Sequence, residues 1–91
     1  VFLYIIRDQS HRYKLGIAGN PTKRLAQLQT GCASRLQLVH QIEINPGIPA
    51  LGFEKRVHSW FLGQRCVGEW FKLSEAEVDW LKTIQTAAQM Y

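Results

Sequence analysis

The chain has 91 residues, 46% of them hydrophobic and 20% charged, with a net charge of +4. That is enough for one modest core and not for two, and no apolar run approaches the roughly 18 residues of a membrane span. Cys32 and Cys66 form no CxxC and, with His11, His40 and His58, match no zinc spacing, so free thiols in a reducing compartment are expected rather than a disulfide framework or a metal knot.

Val1 already lies inside an apolar run, as expected of a single domain, residues 1–91, excised from a longer chain with further domains as partners. No signal peptide is visible, and a cytoplasmic setting is the expectation. Residues 1–66 carry nine Lys or Arg against three acids, whereas residues 67–91 carry two against four. A basic body with an acidic closing segment suits either a polyanionic partner or an ordinary solvated surface.

In chain order, residues 1–6 are apolar on both faces and predict a strand covered on both sides. Asp8, Gln9 and Ser10 read as a turn, and residues 13–18 return as the second strand of a hairpin. There Tyr13, Leu15 and Ile17 share one face, while Lys14 shares the other with Gly16 and Ala18. Small residues at those places are expected to leave room for something to approach the backbone. Asn20 and Pro21 are an N-cap and a first helical residue, Gly31 ends that helix, and Leu25 and Leu28 mark its buried side. Residues 36–44 alternate Leu36, Leu38, His40, Ile42 and Ile44 on what should be one buried strand face. After the Asn45-Pro46-Gly47 break, Pro49 opens a second helix reaching to about Leu62. Residues 69–73 form a short strand, and Ser74 with Glu77 is a capping box before a last helix that turns Val78, Leu81 and Ile84 inward. The order ββαβα(β)α predicts an α/β (α+β) fold, a small three-stranded antiparallel sheet flanked by helices.

The second helix carries the chemistry. Phe53, Val57, Trp60 and Phe61 form an apolar stripe, with Lys55, Arg56 and Ser59 opposite. Glu54 and His58 stack at i, i+4 between apolar flanks. A carboxylate so placed calls for a cation, a metal or a donor. A salt bridge from Glu54 to an arginine, with His58 as a satisfied core histidine, meets the same rule. Arg24 sits at the edge of the first helix's apolar side. If the elements are neighbours, one cleft holds Tyr4, Lys14, Arg24, Glu54 and His58. A single carboxylate can hold a Mg²⁺ that keeps several waters and takes phosphate oxygens, and an arginine fork matches phosphate geometry.

Together FLY at 2–4, KLG at 14–16, NPTKRL with Arg24, Glu54 followed by His58, and GEWF at 68–71 resemble the GIY-YIG nuclease domain. The likeness is greatest to the phage-type subfamily whose second signature reads K-[IL]-G. It spans residues 2 to about 73. It implies a three-stranded α/β core and divalent-metal-dependent cleavage of DNA phosphodiesters with Mg²⁺ (or Mn²⁺). By position, Tyr4 matches the first-signature tyrosine, Lys14 replaces the second, Arg24 matches the helix arginine, and Glu54 matches the metal-binding glutamate. Phe2 stands where the first signature has glycine, and the late asparagine has no clear counterpart. On this reading Tyr4, Lys14, Arg24, Glu54 and His58 are the catalytic candidates, with Tyr4 relaying the proton of the attacking water as a phenolate favoured by Lys14 and the metal. His58 is expected to hydrogen-bond Glu54 or to touch metal-bound water. Lys14, Lys23, Arg24 and Arg35 are the candidate nucleic-acid contacts, and Gly16 and Ala18 are to leave space for the DNA backbone. The alternatives are a non-catalytic nucleic-acid-binding module on the same basic cleft, and a protein-interaction domain using Trp60, Trp70 and Trp80.

Overall fold

The β1–β2 hairpin, Phe2–Arg7 and Tyr13–Ala18, is built around a buried carboxylate. Asp8 is 6% exposed. Its Oδ1 accepts the backbone N–H groups of Ser10 and Arg12, both at 2.9 Å, and its Oδ2 pairs with Arg12 Nε at 3.1 Å. The turn is thus wrapped on its own side chain, and His11 takes up a left-handed conformation (φ 60°) to close it. The computed structural model describes all residues, 1–91.

Four strands form one antiparallel sheet in the order β3-β1-β2-β4, with β3 at Gln37–Glu43 and β4 at Trp70–Phe71. The expected three-stranded sheet therefore gains a strand, because the short GEWF segment pairs with the free edge of β2. Three α-helices cover it: α1 (Pro21–Thr30), α2 (Ala50–Trp60) and α3 (Glu75–Lys82). As the caps predict, Asn20 Oδ1 accepts from Lys23 N at the start of α1, and Ser74 and Glu77 close a reciprocal capping box on α3.

Helices on both faces explain why central β1 is apolar throughout. Leu3 and Ile5 join Leu15, Ile42 and Phe71 beneath Phe53 and Val57 of α2 and Val78 and Leu81 of α3. Each such side chain, fully buried, contributes roughly 1.5–3 kcal/mol. Tyr4 and Ile6 point the other way, toward Leu36 and the half-buried Leu25 and Leu28 of α1.

The alternation expected of β3 is broken. Ile5 pairs with His40 and Ile6 with Leu38, so Val39 is an extra residue in a bulge. Leu36 and Leu38 consequently pack on the α1 side, whereas Ile42 and Ile44 belong to the main core. His40 turns to the core side, and its Nε2 meets the Ile84 carbonyl at 2.7 Å.

Candidate active site at the open edge of the sheet

The ladder between β2 and β4 ends early. Only Tyr13–Phe71 and Lys14–Trp70 pair, followed by one bond from Leu15 N–H to Glu69 O at 3.0 Å. Beyond it the edge of β2 at residues 16–18 has no strand neighbour. Here side chains from both faces of the sheet meet around Gly16.

Tyr4 pairs with Gly16 across β1 and β2, and its ring lies over the glycine. A Cβ at residue 16 would strike the Tyr4 hydroxyl, stand 2.6 Å from Cζ, and lie 2.9 Å from Glu69 Oε1. The space expected for a DNA backbone is therefore filled by the protein's own tyrosine. Ala18 likewise packs against the small cluster under α1. The lysine-glycine pairing on one strand face thus has a local cause: Gly16 admits the Tyr4 ring, and Lys14 stands beside it.

Lys14 Nζ lies 3.4 Å from Glu69 Oε1 and 5.6 Å from the centre of the Trp70 ring. Arg24, exposed on α1, lies close enough to Tyr4 to act on its hydroxyl, and its guanidinium is 3.5 Å from Gln27 Oε1. Burial lifts the pKa of Tyr4 above its ordinary value. Arg24 opposes this, and the charges of Glu69 and Glu54 add to it. Burial thus favours the neutral phenol, and Lys14, paired with Glu69, is not among the groups that act against it.

Glu54 reaches the same edge from α2, on the opposite face. It is 8% exposed and takes part in no ion pair, the two in the chain being Arg12–Asp8 and Lys14–Glu69. Burial first, then the charge of Glu69, pushes its pKa up. The His58 side chain and the Ile17 backbone N–H nearby oppose the shift. The hydrogen bond expected from His58 to Glu54 does not form. Instead His58 Nε2 donates to the Leu15 carbonyl at 2.7 Å and its ring packs 5.0 Å from Phe71. This fastens α2 to β2 and leaves Nδ1 as the ring acceptor.

A cleft of about 400 Å³ is lined by Glu54, His58, Glu69, Lys55 and Arg65, among others. Three of these were missed by sequence reasoning, Lys55 because its helix position was expected on the solvated side away from the site. Glu69 lies inside the GEWF signature, which is the one signal that could have flagged it. Arg65, whose Nε donates to Gly68 O at 2.5 Å, left no signal. No three His, Cys, Asp or Glu side chains form a metal-holding group. A Mg²⁺ needs only one or two carboxylates, with water and phosphate oxygens completing its shell. A buried Glu54 that makes no ion pair fits that requirement.

Of the predicted residues, Tyr4, Lys14, Arg24 and Glu54 come together and His58 lines the cleft. Lys23 is exposed on α1. Arg35 lies apart, in a groove of about 560 Å³ that it shares with Arg7, Thr22 and Leu25. Cys32 and Cys66 are free, and no helix is long and apolar enough to cross a membrane.

No curated protein and no solved structure matches the chain. A family model described as the T5orf172 domain matches residues 1–85. With nearly the whole chain covered and an α+β core of the expected order, this protein belongs to the T5orf172 domain family, a GIY-YIG-related family.

Proposed function

We propose that the chain is the divalent-metal-dependent endonuclease module of a longer protein, hydrolysing DNA phosphodiester bonds, with Lys14-Leu15-Gly16 as its K-[IL]-G signature. The observation that carries this reading is the meeting of Tyr4, Arg24, Lys14 and Glu54 at one open sheet edge, although they come from four separate elements. Structural salt bridges do not require a buried carboxylate without a cation beside a tyrosine that an arginine holds.

Glu54 would hold Mg²⁺ or Mn²⁺, which when bound supplies Lewis-acid polarisation of the phosphate and neutralises charge on the leaving oxygen. Tyr4, as a neutral phenol anchored by Arg24, accepts a hydrogen bond from the attacking water and aligns it. The water's proton leaves through this hydroxyl to the solvent of the cleft, so Tyr4 acts as relay and not as a resident base. Arg24 has only one long side-chain contact besides Tyr4, which leaves its fork free to take the charge developing on the phosphate oxygens. His58 holds the register of α2 on β2 and thereby the position of Glu54. Lys14 and the exposed Lys23 extend positive charge along the approach to the cleft, and Arg35, in the connection between α1 and β3, offers a second phosphate contact.

Supercoiled plasmid incubated with Mg²⁺ or Mn²⁺ and either wild type or Glu54→Ala tests this. Nicked or linear product from wild type alone supports the nuclease. DNA retention without any metal-dependent product supports a binding module on the same face. Equal cleavage by both proteins overturns the assignment of Glu54.

A further inference from the structure

We propose that Glu69 is a second carboxylate ligand for the divalent cation of Glu54, and that Lys14, its partner in the cation-free protein, is thereby released toward the phosphate. This rests on the reading of the cleft as a cation-dependent nuclease site.

Three observations lead to it. Glu54 is more than nine-tenths buried, lines the cleft, and has no ion-pair partner. A carboxylate so placed is costly unless positive charge reaches it. Glu69 lines the same cleft, and its charge acts on the Glu54 carboxyl, so both carboxylates face one space. The backbone of Glu69 is tied to β2 through the bond from Leu15 N–H to its carbonyl, which fixes where its side chain starts.

The lysine contact is the part of the arrangement that can yield. At 3.4 Å the Lys14–Glu69 pair is looser than a direct charge-assisted hydrogen bond. The Lys14 ammonium also lies 5.6 Å from the centre of the Trp70 ring, a contact that does not depend on Glu69. When Glu69 turns to a cation, Lys14 stays on Trp70 with its charge no longer neutralised. An anionic phosphate then meets a free lysine only in the metal-loaded site. Metal and DNA binding are thereby coupled through one side chain.

The test uses Mn²⁺ alone, titrated into the full chain without DNA and followed by the electron paramagnetic resonance of the free ion. Glu69→Gln should weaken Mn²⁺ binding by about tenfold or more at an unchanged melting temperature, as loss of a metal-shell partner does. Glu54→Gln should weaken it at least as much. Lys14→Met should tighten Mn²⁺ binding in the wild-type background and leave it unchanged in Glu69→Gln. Should Glu54→Gln lose Mn²⁺ while Glu69→Gln binds it like wild type, Glu69 is only a strut for Lys14 and this inference fails, with the nuclease reading intact. A wild type that takes up no Mn²⁺ at millimolar concentration overturns both.

Discussion

Gly16→Ala is the sharpest probe of the site's construction. The added methyl would stand 2.6 Å from Tyr4 Cζ, closer still to the hydroxyl oxygen, and 2.9 Å from Glu69 Oε1. Tyr4 is 1% exposed and confined by Ile6 and Leu36, so its ring cannot step aside without repacking the cluster under α1. Overpacking of this kind costs about 1–3 kcal/mol. In a domain of this size each kcal/mol lowers the melting temperature by about 4–8 °C. The assay is thermal and urea unfolding of Gly16→Ala beside Gly19→Ala, a glycine with open space around its Cβ position and no positive φ. Gly19→Ala should be neutral or raise stability by about 0.4–1 kcal/mol, because it only stiffens the unfolded chain. Gly16→Ala should also lose cleavage, since the ring that aligns water is displaced. Placed on Tyr4→Phe, which removes the nearest atom, the same alanine should cost less than on wild type, and the difference is the coupling energy of the pair. A Gly16→Ala protein as stable and as active as wild type would refute the placement of Tyr4 across β2.

Glu54→Gln, studied in EDTA, should melt higher than wild type at pH 8 and by a shrinking margin toward pH 4. The folded pKa of Glu54 lies above its unfolded value, so wild type loses stability as pH rises from the unfolded pKa through the folded one; a lower melting temperature at pH 8 contradicts this. Arg24→Lys keeps the charge but loses the planar fork, and should reduce turnover at saturating DNA far more than it reduces affinity; the opposite split in kcat and KM makes Arg24 a positioning contact. Tyr4→Phe should abolish cleavage at a stability cost of about 1 kcal/mol, the worth of one hydrogen bond. Tyr13→Phe, altered in the main core on the opposite face from Lys14, should keep most activity, and the reverse result places the two strands one residue out of register.

Local chemistry was easily read from the sequence, and assembly at the sheet edge was not. The bounds of β2 and α1, the Asn20 cap, the Ser74–Glu77 box and the inward faces of α2 and α3 all follow from side chains acting within one turn of themselves. The aim of Tyr4 was hidden because β1 is apolar on both faces, and periodicity says nothing where every position is buried. Lys14, Arg24 and Glu54 stood out as charges against apolar or small neighbours. Their meeting with Tyr4 depends on β2 pairing both with β1 and with β4. Glu69 escaped notice because a two-residue strand carries too little pattern to tell which way its flanking carboxylate turns. His58 was legible as a satisfied histidine, but its partner is a carbonyl 43 residues earlier, and no local spacing encodes that.

The bulge at Val39 makes β3 behave like a reading frame. Leu36 and Leu38 before it are phased to the layer beneath α1, and Ile42 and Ile44 after it to the layer beneath α2 and α3. The count of residues sets that phasing more than the identity of the extra one. Half-buried Val39 packs on the main core, so apolar substitutions there should be forgiven, and deletion of the same residue should be ruinous, because it would carry either Leu36 and Leu38 or Ile42 and Ile44 to the wrong side of the sheet. Variation among chains that share this architecture is therefore expected to accumulate there as letters exchanged and almost never as letters gained or lost.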